Sequence, residues 1–329
     1  LDVAETLRGL GIVSAARGRY AEARNLYEDA LRNHEKAGQP AASRIAFVWN
    51  DLGVLAYNVG RYEESEAHLR RAIGMWESAM GPRHKLVAHA YMNLGALLVA
   101  RTRVDEAETL YRRASEIFYA TVGPAHPATA NLLMKLGELH AFRRQYPEAE
   151  SYFERALRIR QRLAPGGNPA VAESLRELGG VYARLGKHVM GATAMEQSLE
   201  MFRQTMGPEH LEVAWTKHAL AGLRRLERKP DVAAALYLES LEALQKILGP
   251  EHPQLASNLI NLAGVLCDRR RYADGEPFFR RALHLEEKAL GRQNPLMIAH
   301  LREYAWLLRK LNRKTEAAVF EQRVRSISR

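Results

Sequence analysis

The chain has 329 residues, 47% of them hydrophobic and 26% charged, with a formal net charge of +10. No apolar run approaches the ~18 residues of a membrane-spanning helix, and the single cysteine, Cys267, excludes an internal disulfide framework. The basic excess favours acidic partners, whether peptide, nucleic acid or anionic lipid, without choosing among them, and cytoplasmic residence is the expectation.

In chain order, a small residue, in most cases preceded by leucine, recurs every 42 positions: Gly11, Gly53, Gly95, Gly137 and Gly179, continued by Ala221, Ala263 and Ala305. These markers divide the chain without insertion into eight units, approximately 1–42, 43–84, 85–126, 127–168, 169–210, 211–252, 253–294 and 295–329. Nine residues after a marker stands a ring in four units (Tyr20, Tyr62, Tyr146, Tyr272), and sixteen after it a large apolar residue in seven, such as Tyr111 and Phe153. Between and beyond these lie small residues, such as Ala107 and Ala114. Small residues at fixed positions let two helix backbones approach while large ones interlock around them. The apolar spacing in LINLAGVL and PFFRRALHLEEKAL is helical, so each unit reads as two antiparallel helices joined by a turn such as GRY at 18–20. Units join through one phrase: GPRHK at 81–85, GPAHP at 123–127, GPEHL at 207–211 and GPEHP at 249–253. Its glycine suits a left-handed helix end and its second proline the first position of the next helix. That puts His126, Asn168, His252 and Asn294 at the cap. The histidines come one per unit, too far apart to share a metal, and no HExxH occurs, so neither metal nor cofactor is expected. The pattern weakens at His188, Pro230, Lys314 and Glu321, marking looser packing or an end unit. Cys267, inside the run LAGVLCD, reads as a small buried hydrophobe.

The order L-G, aromatic, A, F/Y, A matches the tetratricopeptide signature, and the 42-residue period with its G-P-x-H-P joint resembles the array of kinesin light chains. That resemblance spans the chain. It implies an all-α, right-handed superhelical solenoid of antiparallel helix pairs, residues 1–329 forming a single domain. It also implies a protein-interaction scaffold whose first helices line a concave groove holding an extended peptide. No phosphate-cradling loop, G-x-S-x-G elbow or Cys/His pair points to an enzyme.

The groove-facing positions are expected three and two before each marker, and one, four and five after it. They give Asn50, Tyr57 and Asn58; Met92 and Asn93; Met134, Lys135 and Phe142; Arg176 and Arg184; His218 and Arg225; Asn261; and Arg302, Trp306, Arg309 and Lys310. Glu177, Asp268 and Glu303 fall on the same positions. Asn50, Asn93 and Asn261 each carry a donor and an acceptor suited to a peptide backbone. In kinesin-light-chain-like arrays asparagines in an N-L-G/A context do that work; Asn93 and Asn261 match, and Asn50 is one position out of step. The competing reading is that these asparagines bridge adjacent helices. Units two to four present an apolar surface, and units five to eight an arginine-rich one suited to carboxylates, unless Glu177 and Glu303 neutralise their arginine neighbours. The expected partner is therefore a protein or linear peptide, acidic and apolar-anchored. A rival stripe lies on the second helices and loops: Arg70–Arg71, Arg112–Arg113, Arg155 and Arg280–Arg281, with Arg101, Arg103, Arg143, Arg144 and Arg269–Arg271. It could track a phosphate backbone, but glutamates lie alongside and stacking aromatics do not, which makes nucleic acid the lesser expectation. The chain also starts in mid-joint, so the array could be the interaction or sensing arm of a larger protein.

Overall fold

A computed structural model of the chain describes residues 3–36 and 42–328. It divides into two compact units, Leu1–Leu163 and Ala164–Arg329. The first unit holds four helix pairs: α1 (Val3–Ala16) and α2 (Tyr20–Lys36), α3 (Ala42–Asn58) and α4 (Tyr62–Met80), α5 (Lys85–Ala100) and α6 (Val104–Thr121), α7 (Pro127–Phe142) and α8 (Tyr146–Leu163). The second repeats the plan with α9 (Pro169–Arg184) and α10 (His188–Met206), α11 (Leu211–Leu226) and α12 (Pro230–Leu248), α13 (Leu255–Asp268) and α14 (Tyr272–Leu290), α15 (Ile298–Lys310) and α16 (Lys314–Ile327). A 3-10 turn, Pro295–Met297, leads into α15. No strand occurs among the described residues.

The marker glycines close the first five pairs. A Cβ built on Gly95 would stand 2.3 Å from Cε1 of Tyr111, and one on Gly137 would stand 2.5 Å from Cε1 of Phe153. The ring sixteen residues on therefore fills the volume a side chain would need. Tyr111 and Phe153 are each 1% exposed, and the alanines Ala107, Ala114, Ala149 and Ala156 around them are fully buried. Where serine replaces alanine, its hydroxyl donates to a carbonyl of the partner helix: Ser65 to Gly53 at 2.7 Å and Ser240 to Ala214 at 2.8 Å.

The joint works largely as its sequence suggests. The Nδ1 atoms of His84, His126, His210 and His252 accept from the backbone N–H two residues on, at 3.1–3.3 Å, and Asn168 and Asn294 cap through Oδ1 at 2.9 Å. At His84, His126, Asn168 and His210 the bond satisfies an N–H that the first turn of the next helix leaves without an intrahelical acceptor, whereas Asn294 caps the 3-10 turn and the His252 bond reaches Gln254, just ahead of α13. The joint glycines differ from the left-handed helical conformation expected of them. Gly81 has φ 86° and ψ 156°, and Gly207 and Gly249 match it closely. That is an extended conformation at positive φ, open almost only to glycine. The turn within a pair also carries a residue at positive φ: Gly18, Gly60 and Gly186 at 73–77°, and Thr102, Arg144, Arg228, Arg270 and Asn312 near 60°.

Candidate functional site

Within each unit the first helices of successive pairs touch: α1 with α3, α3 with α5 and α5 with α7 in one, and α9 with α11 and α11 with α13 in the other. Within each unit they form a face. Its open stripe runs through the positions six and two before each marker and one and five after it. On α5 these are His89, Asn93, Ala96 and Ala100, all exposed or half-buried, the first three between buried neighbours. Steps of four and three residues hold a stripe on one side of an α-helix. The positions three before and four after the marker are seven apart, so they share the neighbouring flank, which meets the next pair.

That geometry corrects part of the sequence reading. Met92 and Met134 stand on the flank and are buried, at 9% and 2% exposure, so they offer a ligand no surface. Polar flank residues are spent on the following pair. Arg8 Nε donates to Asp51 at 2.6 Å, Asn93 Nδ2 to Asn50 Oδ1 at 2.9 Å, and Asn261 lies 3.3 Å from His218 Nε2, each pair 43 residues apart. A spacing of one repeat plus one was the sequence signal for these bridges. The asparagines thus bridge adjacent helices, keeping only their remaining donors and lone pairs for anything else.

In the unit Leu1–Leu163, Lys135 is tied to Glu138 at 2.8 Å, and Tyr57 is half-buried 6.1 Å from the Tyr62 ring. Asn58 and Phe142 remain open on the stripe, Phe142 53% exposed.

In the unit Ala164–Arg329 the position after the marker is glycine three times running, Gly180, Gly222 and Gly264, each 42 residues from the last. A Cβ on Gly180 would meet nothing within 4 Å, so the helix backbone lies bare there. A cavity of about 780 Å³ opens over Gly180 and Gly222, with Arg184, His218, Arg225 and Arg228 in its wall. These arginines are not equivalent. Arg225 lies across Gly264, where a Cβ would sit 2.9 Å from Nη1, and Asp268 holds it in two bonds of 2.6 and 3.1 Å. Arg184 and Arg228 make no hydrogen bond or ion pair through their side chains among the described residues. Arg176 has left the groove, its guanidinium paired with Glu212 and 5.6 Å from the Phe202 ring centre. His218 packs edge-on against Tyr237 at 5.2 Å, and burial pushes its pKa down to about 4, so it is neutral near pH 7. On α15, Arg309 is bound to Glu321 at 2.6 and 2.8 Å, Lys310 Nζ lies 5.5 Å from the Trp306 ring centre, and Arg302 and Glu303 stand exposed without an ion pair among the described residues. The glycine track, Arg228 and the Arg225–Asp268 clamp went unseen in the sequence. The track's 42-residue step was legible there; the clamp follows only once the flank is known.

The rival arginines are mostly engaged as well. Arg101 and Arg103 bind Glu66, at 3.0 and 2.8 Å, Arg143 binds Asp105 and Glu108, and Arg269 binds Asp231. No metal-ligand cluster and no helix long and apolar enough to cross a membrane occur among the described residues.

Tetratricopeptide repeat models match residues 3–37, 44–120, 87–162, 134–204, 170–246 and 254–329. No curated protein sequence matches significantly. Among solved structures, the nearly identical TPR-like repeats of a kinesin light chain candidate from Podosopora anserina share 19% identity at TM-score 0.53, over 63% of this chain and 97% of that one. The quorum sensor NprR of B. thuringiensis in its apo form shares 16% identity at TM-score 0.70, over 99% of this chain and 87% of that one. A Rap protein complexed with Competence and Sporulation Factor shares 14% at TM-score 0.62, over 99% of this chain and 97% of that one. With helix pairs at a 42-residue step and repeat models matching along most of its length, this chain belongs to the tetratricopeptide repeat family, and its fold resembles that of the kinesin light chain-like repeats.

Proposed function

We propose that the chain is a non-catalytic interaction scaffold, and that the first-helix face of the unit Ala164–Arg329 holds an extended, acid-bearing segment of a protein partner. The observation that carries this reading is the cavity over Gly180 and Gly222, with two arginines in its wall that the fold leaves without an acid. The bare backbone gives an extended chain close access, and a guanidinium can take a carboxylate in a two-pronged bond. The face is already built, so most of the ordering cost of binding falls on the ligand. The Rap protein complexed with Competence and Sporulation Factor shows a chain of similar fold holding a partner.

A display selection of linear peptides on the purified chain tests the reading, with duplex and single-stranded DNA as competitors at physiological salt. Acid-bearing peptides should be enriched. Replacing Arg184 and Arg228 together with alanine should weaken them by about 1–3 kcal/mol for each guanidinium–carboxylate bond removed, with helicity unchanged. Unchanged affinity in that double variant would remove this end of the face as the reader.

A further inference from the structure

The other end of the same unit's first-helix face carries different chemistry. A second cavity, of about 330 Å³, reaches from α13 to α15 and includes Gly264, Asp268, Glu303 and Trp306 in its lining. Glu303 and Trp306 are three residues apart on α15 and so stand side by side. The Glu303 carboxylate is exposed and makes no hydrogen bond or ion pair among the described residues. The Trp306 indole is 47% exposed, and Tyr272 backs it edge-on at 5.9 Å and 82°. One cation of the chain has already taken up a place over that ring: Lys310 Nζ lies 5.5 Å from its centre. Two other groups in the wall can carry positive charge. Asp268 offsets Arg225, and His300 Nδ1 lies 2.8 Å from Glu286. Glu303 feels the charges of Arg225 and His300 across the cavity, yet it bonds to neither and stands beside an open aromatic face.

We propose that this cavity is a cation subsite, taking the ammonium or guanidinium of a lysine or arginine side chain between the Trp306 ring and the Glu303 carboxylate. An aromatic face attracts a cation through its quadrupole, and the carboxylate supplies the charge-assisted bond that fixes its position. This assignment relies on the proposed groove for the segment that delivers the side chain, though not for the chemistry of the subsite. It makes the ligand bipolar, with an acid toward α9 and a base toward α15, and so fixes its direction. First helices about 10 Å apart put the two ends ~30 Å from each other, or roughly nine residues of extended chain.

Two titrations test it. In the first, L-argininamide is added while the indole N–H resonance of Trp306 is followed. A saturable shift at millimolar concentration is expected, abolished in Glu303→Gln and strengthened in Lys310→Ala, which removes the internal competitor. Absence of a saturable shift up to about 50 mM overturns the subsite. In the second, twelve-residue peptides with aspartates at one end carry arginine, lysine or norleucine at the other. The basic peptides should bind about five- to tenfold tighter than norleucine, and Glu303→Gln should erase that preference. A wild-type chain that binds norleucine peptides equally well overturns the assignment, whereas the acid-reading end is judged separately by the Arg184/Arg228 variant. Argininamide binding with no peptide binding supports the subsite and sinks the groove reading. Argininamide binding as tightly as the arginine peptide points to a free amine and overturns the side-chain assignment.

Discussion

At the scale of single residues, the chain is governed by which side chains have no room and which have no partner. Gly137 is the clearest case of the first. Its absent Cβ is replaced by the Phe153 ring at 2.5 Å, and Phe153 is itself fully packed. Gly137→Leu should therefore cost at least about 3 kcal/mol, beyond the usual range for overpacking, because neither helix can withdraw without uncovering its neighbour. Urea melts would show it, and a variant melting like the parent would contradict the pairing of α7 with α8. His218 is the second kind of case, since its Nδ1 is buried without a hydrogen-bond partner. Its folded pKa of about 4 lies below the ordinary 6.5, the cause being burial. The unfolded chain therefore takes up a proton that the folded chain refuses as pH falls. The stability tied to this group is whole above pH ~6.5 and is lost progressively toward pH ~4, by up to about 3 kcal/mol. Subtracting the pH profile of His218→Gln from that of the parent should leave that loss between those limits. A flat difference would mean the imidazole protonates freely in place.

At the scale of helices, the same repeat position can be core or surface depending on what stacks against it. The positions eight and one before the marker and two after it face the preceding pair. On α5 these are Val87, Leu94 and Leu97, at 0%, 1% and 0% exposure, while on α1 they are Val3, Leu10 and Val13, at 58%, 51% and 46%. Leu94→Glu would bury a charge without a partner and should cost more than about 4 kcal/mol, enough to threaten the fold. Leu10→Glu alters the same repeat position where half the side chain is in water, and should stay within about 0.5 kcal/mol. Thermal melts of the two variants measure stacking directly, since intrinsic helix propensity changes equally in both. Equal effects would mean that α1 is covered in solution. At the other end of the array, Glu321 on α16 stands where every earlier pair carries a large apolar residue, and Arg325 where all but one do. The Arg309–Glu321 pair, at 2.6 Å, is one that water can solvate.

At the scale of the whole molecule, the fold was legible because one small marker is written eight times. The marker, the large apolar residue sixteen positions on in seven units and the histidine or asparagine of the joint are each fixed by local sterics, so each leaves a residue type at a fixed address. The site was legible only in part. A helix face can be assigned from periodicity, but whether Arg225 meets a ligand or Asp268, or Met134 meets solvent or a neighbouring helix, depends on how the next pair lies against the flank. No single unit contains that information. The same distinction decides what the net charge of +10 can do. An arginine stripe spaced by the repeat suits a phosphate backbone only if its charges are free to replace counterions. Here Glu66 takes up Arg70, Arg101 and Arg103, Arg143 sits between Asp105 and Glu108, and Glu276 takes up Arg280. To reach phosphate these arginines would first have to leave a carboxylate, and that carboxylate would then repel the strand. Duplex DNA should therefore bind weakly at low salt and be released at about 150 mM, with a log–log salt slope well short of the value near −5 that six free cations would give. Glu63→Gln, Glu66→Gln, Asp105→Asn, Glu106→Gln and Glu108→Gln together would free Arg70, Arg101, Arg103 and Arg143 and should steepen that slope by about three to four. A steep slope already present in the parent chain would show that the ion pairs open at little cost, and that the arginine stripe is itself a binding surface.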